Sequence, residues 1–156
     1  MRENLAMKNL RKHLLNFFKR FWPIIAIVAA VGVFFYPVWA KGLVPVPGDF
    51  IVGTYYPWLS YKWGYEVGVP VKNPITSDVV SVIYPLRSFG VDLMKRGELP
   101  LWIPNMFAGY PLLANFQASL LSPTIFLYFL LPKVWAWTGQ IILQPFLACF
   151  FMYLLL

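Results

Sequence analysis

Apolar positions along the chain fall into two uncharged runs separated by a long mixed stretch. The first run, FWPIIAIVAAVGVFFYPVWA, covers Phe21 to Ala40. A helix of about 20 residues matches a hydrocarbon core about 30 Å thick. Trp22 and Trp39 stand near its ends, as interfacial anchors do. Pro23 suits a first helical turn, and Pro37 predicts a kink or a stop. The second run, VWAWTGQIILQPFLACFFMYLLL, covers Val134 to Leu156 and is long enough to cross with some tilt. Gln140, Gln144 and Pro145 interrupt it, and amides within a span usually face other helices. Just before it, SPTIFLYFLLPK is apolar over too short a length to cross, which predicts a re-entrant or interfacial helix.

Helical spacing of apolar residues marks two further segments. In residues 1–20, Leu5, Leu10, Leu14, Phe17 and Phe18 recur near helical spacing among Arg2, Lys8, Arg11, Lys12, Lys19 and Arg20, with Glu3 the single acid. Such a segment serves either as a nucleic-acid arm or as a juxtamembrane helix on anionic lipid. The span that follows at once favours lipid and no nucleic-acid partner. In YPLRSFGVDLMKRG, Pro85 suits a first turn and Leu86, Phe89, Leu93 and Met94 share a face. Arg87, Ser88 and Lys95 lie opposite, and Gly97 is placed as a stop. This predicts an amphipathic surface helix over 85–96.

The predicted fold class is therefore α: an integral membrane helical protein with two transmembrane helices flanking a large extracytoplasmic loop. Residues 1–20 form a basic cytoplasmic juxtamembrane segment, 21–40 the first transmembrane helix, 41–133 the loop and 134–156 the second transmembrane helix. Six basic residues before the first span put the N-terminus on the cytoplasmic side of the inner membrane. A cleaved signal peptide is the rival, but KGLVPVPGD after Ala40 gives a poor cleavage site. The closing Tyr153-Leu154-Leu155-Leu156 has no flanking charge, which reads as the front of a longer, multi-pass chain.

Composition agrees with a membrane chain: only 12% of residues are charged, against about a quarter in soluble domains. The single Cys149 excludes an internal disulfide framework, and with His13 the single histidine no zinc-type cluster is present. There is no P-loop, GxGxxG or nucleophile triad. The acids of the loop are Asp49, Glu66, Asp78, Asp92 and Glu98. Asp92 and Glu98 read as solvated charges on the surface helix and its exit. Asp49 follows Pro47-Gly48 close to the membrane exit, in an otherwise apolar context. Asp78 has a similar setting, with a helix N-cap as its bland alternative.

The run GELPLWIPNMFAGYPLLANFQASLLSPTIFLYFLLP, Gly97 to Pro132, resembles the first outer loop of the bacterial YfhO family and its kin among GT-C-class membrane glycosyltransferases. The resemblance extends back through SDVVSVIYPLRSFGVDLMKRGE and to PGDF and TYYPW, about two-thirds of the chain. It departs at Ile103, where the family favours Asn, and at Phe116, where Pro is usual. It implies transfer of a sugar from a polyprenyl-phosphate donor to a cell-envelope acceptor, with membrane lipid and the lipid-linked sugar as partners. A carboxylate takes the acceptor proton, Asp49 first in rank and Asp78 second. A cation stabilises the leaving phosphate: Arg87 is one candidate, and the resemblance leaves room for a divalent metal. Trp102, Tyr110 and Phe116 become candidates for stacking on sugar or lining the lipid tail. Asn105, Asn115 and Gln117 either bind sugar hydroxyls or cap turns of their own segment, since prolines leave carbonyls needing partners. The competing class is a non-enzymatic membrane protein for lipid binding, transport or assembly, in which both acids only cap turns.

Overall fold

The computed structural model describes residues 21–156. The basic segment predicted at 1–20 lies outside the described residues. The fold is predominantly α-helical, and its described residues divide into two compact units: those up to Leu43 with Gln140–Leu156, and Val44–Gly139.

In the first unit the apolar run Phe21–Ala40 is not one helix. Helix α1 spans Phe21–Phe34 and α2 spans Tyr36–Lys41, with Phe35 leaving the helical region between them. Pro37 is the cause. It has no N–H to give to the carbonyl four residues back, its ring crowds that carbonyl, and it restricts Tyr36. The ladder breaks two residues upstream and restarts with Pro37 in the first turn of α2. The described part of α1, Phe21–Phe34, is apolar but shorter than a membrane-crossing length.

The second unit is built around α4, Tyr84–Lys95. It is preceded by a short α3, Gly48–Thr54, and followed by a two-residue hairpin, β1 Trp102–Ile103 and β2 Tyr110–Pro111. Then come α5, Leu127–Leu130, and α6, Lys133–Leu155, whose first turns belong to this unit. Helix α6 is the one described helix long and apolar enough to cross a membrane.

The predicted helix over 85–96 is present but starts earlier. Helical backbone begins at Ser77, and Val79–Ile83 is a widened π turn that runs into α4. The widening sits directly before Pro85, where an ordinary turn would bring the ring against the carbonyl of Ser81. The N–H of Tyr84 instead reaches the carbonyl of Val79. Pro85 is thus not at the true start. The helix ends as Gly97 requires: Gly97 is left-handed at φ 78°, its N–H reaches Met94, and that of Glu98 reaches Leu93. These two bonds make a Schellman cap.

The apolar face of α4 is covered by protein. Leu86 packs with Ile103, Leu112, Ala118 and Leu120, and Phe89 and Leu93 join the same cluster. The proline-rich stretch is therefore the other half of a small core, to which it gives Ile103, Leu112, Ala118 and Leu120. The polar side of α4 departs from expectation too. Arg87 is buried, with its Nε donating to the carbonyl of Ala118 at 2.9 Å and its guanidinium 5.6 Å from the ring centre of Trp137. Asp92 is not simply solvated: Lys133 Nζ lies 2.6 Å from its carboxylate and ties the end of α4 to the start of α6. Glu98 is exposed and meets Arg96 at 3.3 Å.

Helix α3 packs so closely on residues 69–71 that a Cβ at Gly53 would run into the carbonyl of Val69. Backbone cannot step aside as a side chain can. Gly53→Ala is expected to lower stability by about 1–3 kcal/mol, read as a lower thermal midpoint of the solubilised chain.

Candidate functional site

The hairpin and the turns after it wrap over the helical segment that leads into α4 and leave a cleft of about 290 Å³. Asp78, Val82 and Leu86 form its helical wall, and Met106, Phe107, Tyr110, Asn115 and Gln117 form the other. Two features of the sequence make the second wall. Gly109, at φ 114°, lets the chain turn back, and the Trp102 ring lies where its side chain would be, 2.5–2.8 Å from a Cβ built there. The pairing then sets Trp102 opposite Pro111 and Ile103 opposite Tyr110. Ile103 turns into the core and Tyr110 is left at the cleft.

Asn115 fixes the next turn. Its Oδ1 accepts from the N–H of Gln117 at 2.8 Å and of Ala118 at 3.3 Å. Its Nδ2 donates to the Tyr110 hydroxyl at 3.2 Å. The two backbone donors decide which end of the amide is oxygen, so the group facing Tyr110 must be the NH₂. The Tyr110 oxygen therefore accepts, and its own proton is left to point elsewhere. Asn115 is a turn-forming residue and a brace for Tyr110 at once.

Of the two carboxylates singled out in the sequence, the cleft holds Asp78. Asp78 is exposed, lies on helical backbone and makes no capping bond of its own. The capping role falls to Asn73, whose Oδ1 accepts from the N–H of Ile75 at 3.1 Å. Asp49 lies in the first turn of α3, where its Oδ2 accepts the N–H of Lys72 at 2.8 Å. It braces a loop and does not line the cleft. Arg87 is held in the core by Ala118 and Trp137 and does not line the cleft either. Burial pushes the neighbouring Tyr128 phenol above its ordinary value, an effect opposed by the Arg87 guanidinium.

The remaining candidates lie apart. Trp102 packs over Gly109 with about half its surface exposed, and Phe116 is 86% exposed. Asn105 is exposed in the hairpin loop and does not line the cleft. Among the described residues no three of His, Cys, Asp and Glu converge as a metal-ligand set. The one carboxylate of the cleft does not by itself make a divalent-metal site.

Met106 and Phe107 are cleft residues that the sequence did not single out. Phe107 and Ala108 are both left-handed, at φ 51° and 60°, a conformation that costs a residue with a side chain about 1–3 kcal/mol. The Phe107 ring is 84% exposed and meets Tyr110 edge to face with centroids 6.3 Å apart. The available signal was the short PNMFAG link between two aromatic-bearing ends, which suits a hairpin. No family model matches this chain, and no curated protein or solved structure matches it.

Proposed function

We propose that this chain is the N-terminal part of a multi-spanning membrane glycosyltransferase that moves a sugar from a polyprenyl-phosphate donor to a cell-envelope acceptor. The observation that supports this reading is the convergence of Asp78, Tyr110 and Gln117 on one cleft, with Asn115 as brace and Phe107 at its wall. A carboxylate, a phenol and an amide beside an aromatic ring are the groups that recognise a polyol. The cleft residues also lie in the stretch whose sequence resembles the YfhO family.

In this reading Asp78 replaces Asp49 as the general base. Its carboxylate takes the proton of the acceptor hydroxyl as that oxygen attacks the anomeric carbon. The bond from that carbon to the donor phosphate breaks, and the polyprenyl phosphate leaves with the electron pair. Tyr110 and Gln117 hold neighbouring hydroxyls. These steps use the chain's own groups, and none is routed through a metal.

The reading also gives the chain a topology in the inner membrane. Residues 1–20 are cytoplasmic, the apolar stretches 21–40 and 134–156 cross, and 41–133 lie on the outer face. Lys62 is exposed, so Lys62→Cys is expected to react with a membrane-impermeant maleimide on intact cells. Reaction only after lysis would reverse the topology. The activity itself is tested by incubating the complete protein with a polyprenyl-phosphate hexose and envelope acceptors. Transfer of labelled hexose to an acceptor supports the reading, and persistent absence of transfer with well-folded protein sinks it.

A further inference from the structure

The charge and donor pattern of the cleft narrows what it takes. We infer that the cleft holds an uncharged, hydroxyl-bearing sugar ring stacked on Phe107, and that it turns phosphate away. This deepens the reading above and rests on it for treating the cleft as a sugar site.

Electrostatics come first. Among the described residues Asp78 is the one charged side chain lining the cleft, with no lysine or arginine beside it. Arg87, one residue beyond the lining Leu86, has its Nε turned to the carbonyl of Ala118. A phosphate brought beside Asp78 would meet a like charge, with no cation among the described lining residues to offset it. The leaving phosphate of a lipid-linked donor must therefore be held elsewhere.

Hydrogen bonding points the same way. The Tyr110 oxygen is occupied as an acceptor by Asn115 Nδ2, so the phenol offers its proton outward. Asp78 offers only acceptor oxygens when ionised. A sugar hydroxyl both gives and receives, so adjacent hydroxyls can satisfy both groups at once. A phosphate oxygen cannot give a proton to Asp78 without first taking one up.

Phe107 supplies the platform. A large exposed aromatic ring on left-handed backbone is doubly unfavourable in the free chain, since the site would suit Gly or Asn better. Such an outlier beside a cleft points to use of the side chain. The C–H face of a pyranose is apolar and fits an aromatic surface, while its hydroxyls face Tyr110 and Asp78. Donor sugar and sugar acceptor offer the same ring chemistry, and the test separates the two sources.

The test uses the full chain in lipid nanodiscs and saturation-transfer NMR. The probes are the methyl glycosides of glucose, galactose, mannose and N-acetylglucosamine, with the corresponding 1-phosphates. At least one methyl glycoside is expected to bind, and its 1-phosphate about tenfold more weakly. Phe107→Asn keeps a residue at ease in the left-handed region but removes the ring, so folding is retained while affinity falls at least about fivefold. Tyr110→Phe, which removes the donor, is expected to cost about threefold to tenfold. Equal or tighter binding of the 1-phosphates, wild-type affinity in Phe107→Asn, or no binding by any methyl glycoside would each overturn the inference. Competition between the bound glycoside and a polyprenyl-phosphate hexose separates the sources. Displacement assigns the ring to the donor, and simultaneous binding assigns it to the acceptor. Binding without transfer by the complete protein sinks the transferase reading alone. Transfer with unchanged KM and kcat in Phe107→Asn sinks only this inference.

Discussion

Asp78→Asn in the complete protein is expected to lower sugar transfer by about 10²–10⁴-fold, the range for loss of a general base. The substitution keeps the size of the side chain and one acceptor oxygen, while it removes proton uptake and the negative charge. Asp78 caps nothing and is exposed, so folding and expression should be close to wild type. One acceptor oxygen remains for a sugar hydroxyl, so the loss falls mainly on kcat, with a change in KM of a few-fold at most. Asp49→Asn is the matched control. The bond from Lys72 N–H to Asp49 Oδ2 can be made equally by an Asn oxygen, so turnover should stay within a few-fold of wild type. Measurement of both variants with one lipid-linked donor decides the matter. A larger loss in Asp49→Asn would return the base to Asp49. Wild-type turnover in Asp78→Asn would remove the cleft carboxylate from the mechanism.

The ranking of these two acids shows what the sequence could and could not tell. Asp49 stands out locally, after Pro47-Gly48 in apolar surroundings, but its partner Lys72 is 23 residues away. Asp78 gains its neighbours Met106 to Gln117 only when the proline-rich stretch folds back on the helix. Local features were legible because their causes are local. Gly97 ends α4 through its own backbone freedom, Pro37 breaks the first apolar run, and the uncharged run before the C-terminus forms α6. Helical spacing puts Arg87 on the polar side of α4 because it records only which residues share a face. It cannot show that Ala118 and Trp137 will cover the other face. Lys133 and Asp92, 41 residues apart, are hidden in the same way. Pro85 suits a helix start because Pro favours that position. The alternative, a π turn that makes room for Pro inside a helix, has no simple sequence mark. Phe107 escaped notice since no residue type other than Gly or Asn announces a left-handed site.

The second large effect concerns the core beneath the cleft, and it separates two pictures of α4. An amphipathic helix lying on a membrane would turn Leu86 toward lipid, where truncation leaves no fixed cavity. In the structure Leu86 is 1% exposed and is held by Ile103, Leu112, Ala118 and Leu120. Leu86→Ala is therefore expected to lower stability by about 2–5 kcal/mol, the range for a buried leucine whose surroundings relax only in part. Leu86→Met, which keeps the volume, should cost less than about 1.5 kcal/mol. The same leucine lines the cleft, so the enlarged void opens onto the proposed sugar site, and any sugar affinity should fall together with stability. Denaturant titration of the solubilised chain, with hydrogen exchange at residues 84–95 and 101–113, reads both effects. Loss of protection should run through the helix and the hairpin together, because each buries the apolar face of the other. A loss below about 1 kcal/mol, with exchange unchanged in the hairpin, would mean that the hairpin does not cover α4. The cleft between them would then have no fixed wall on which Tyr110 could be braced.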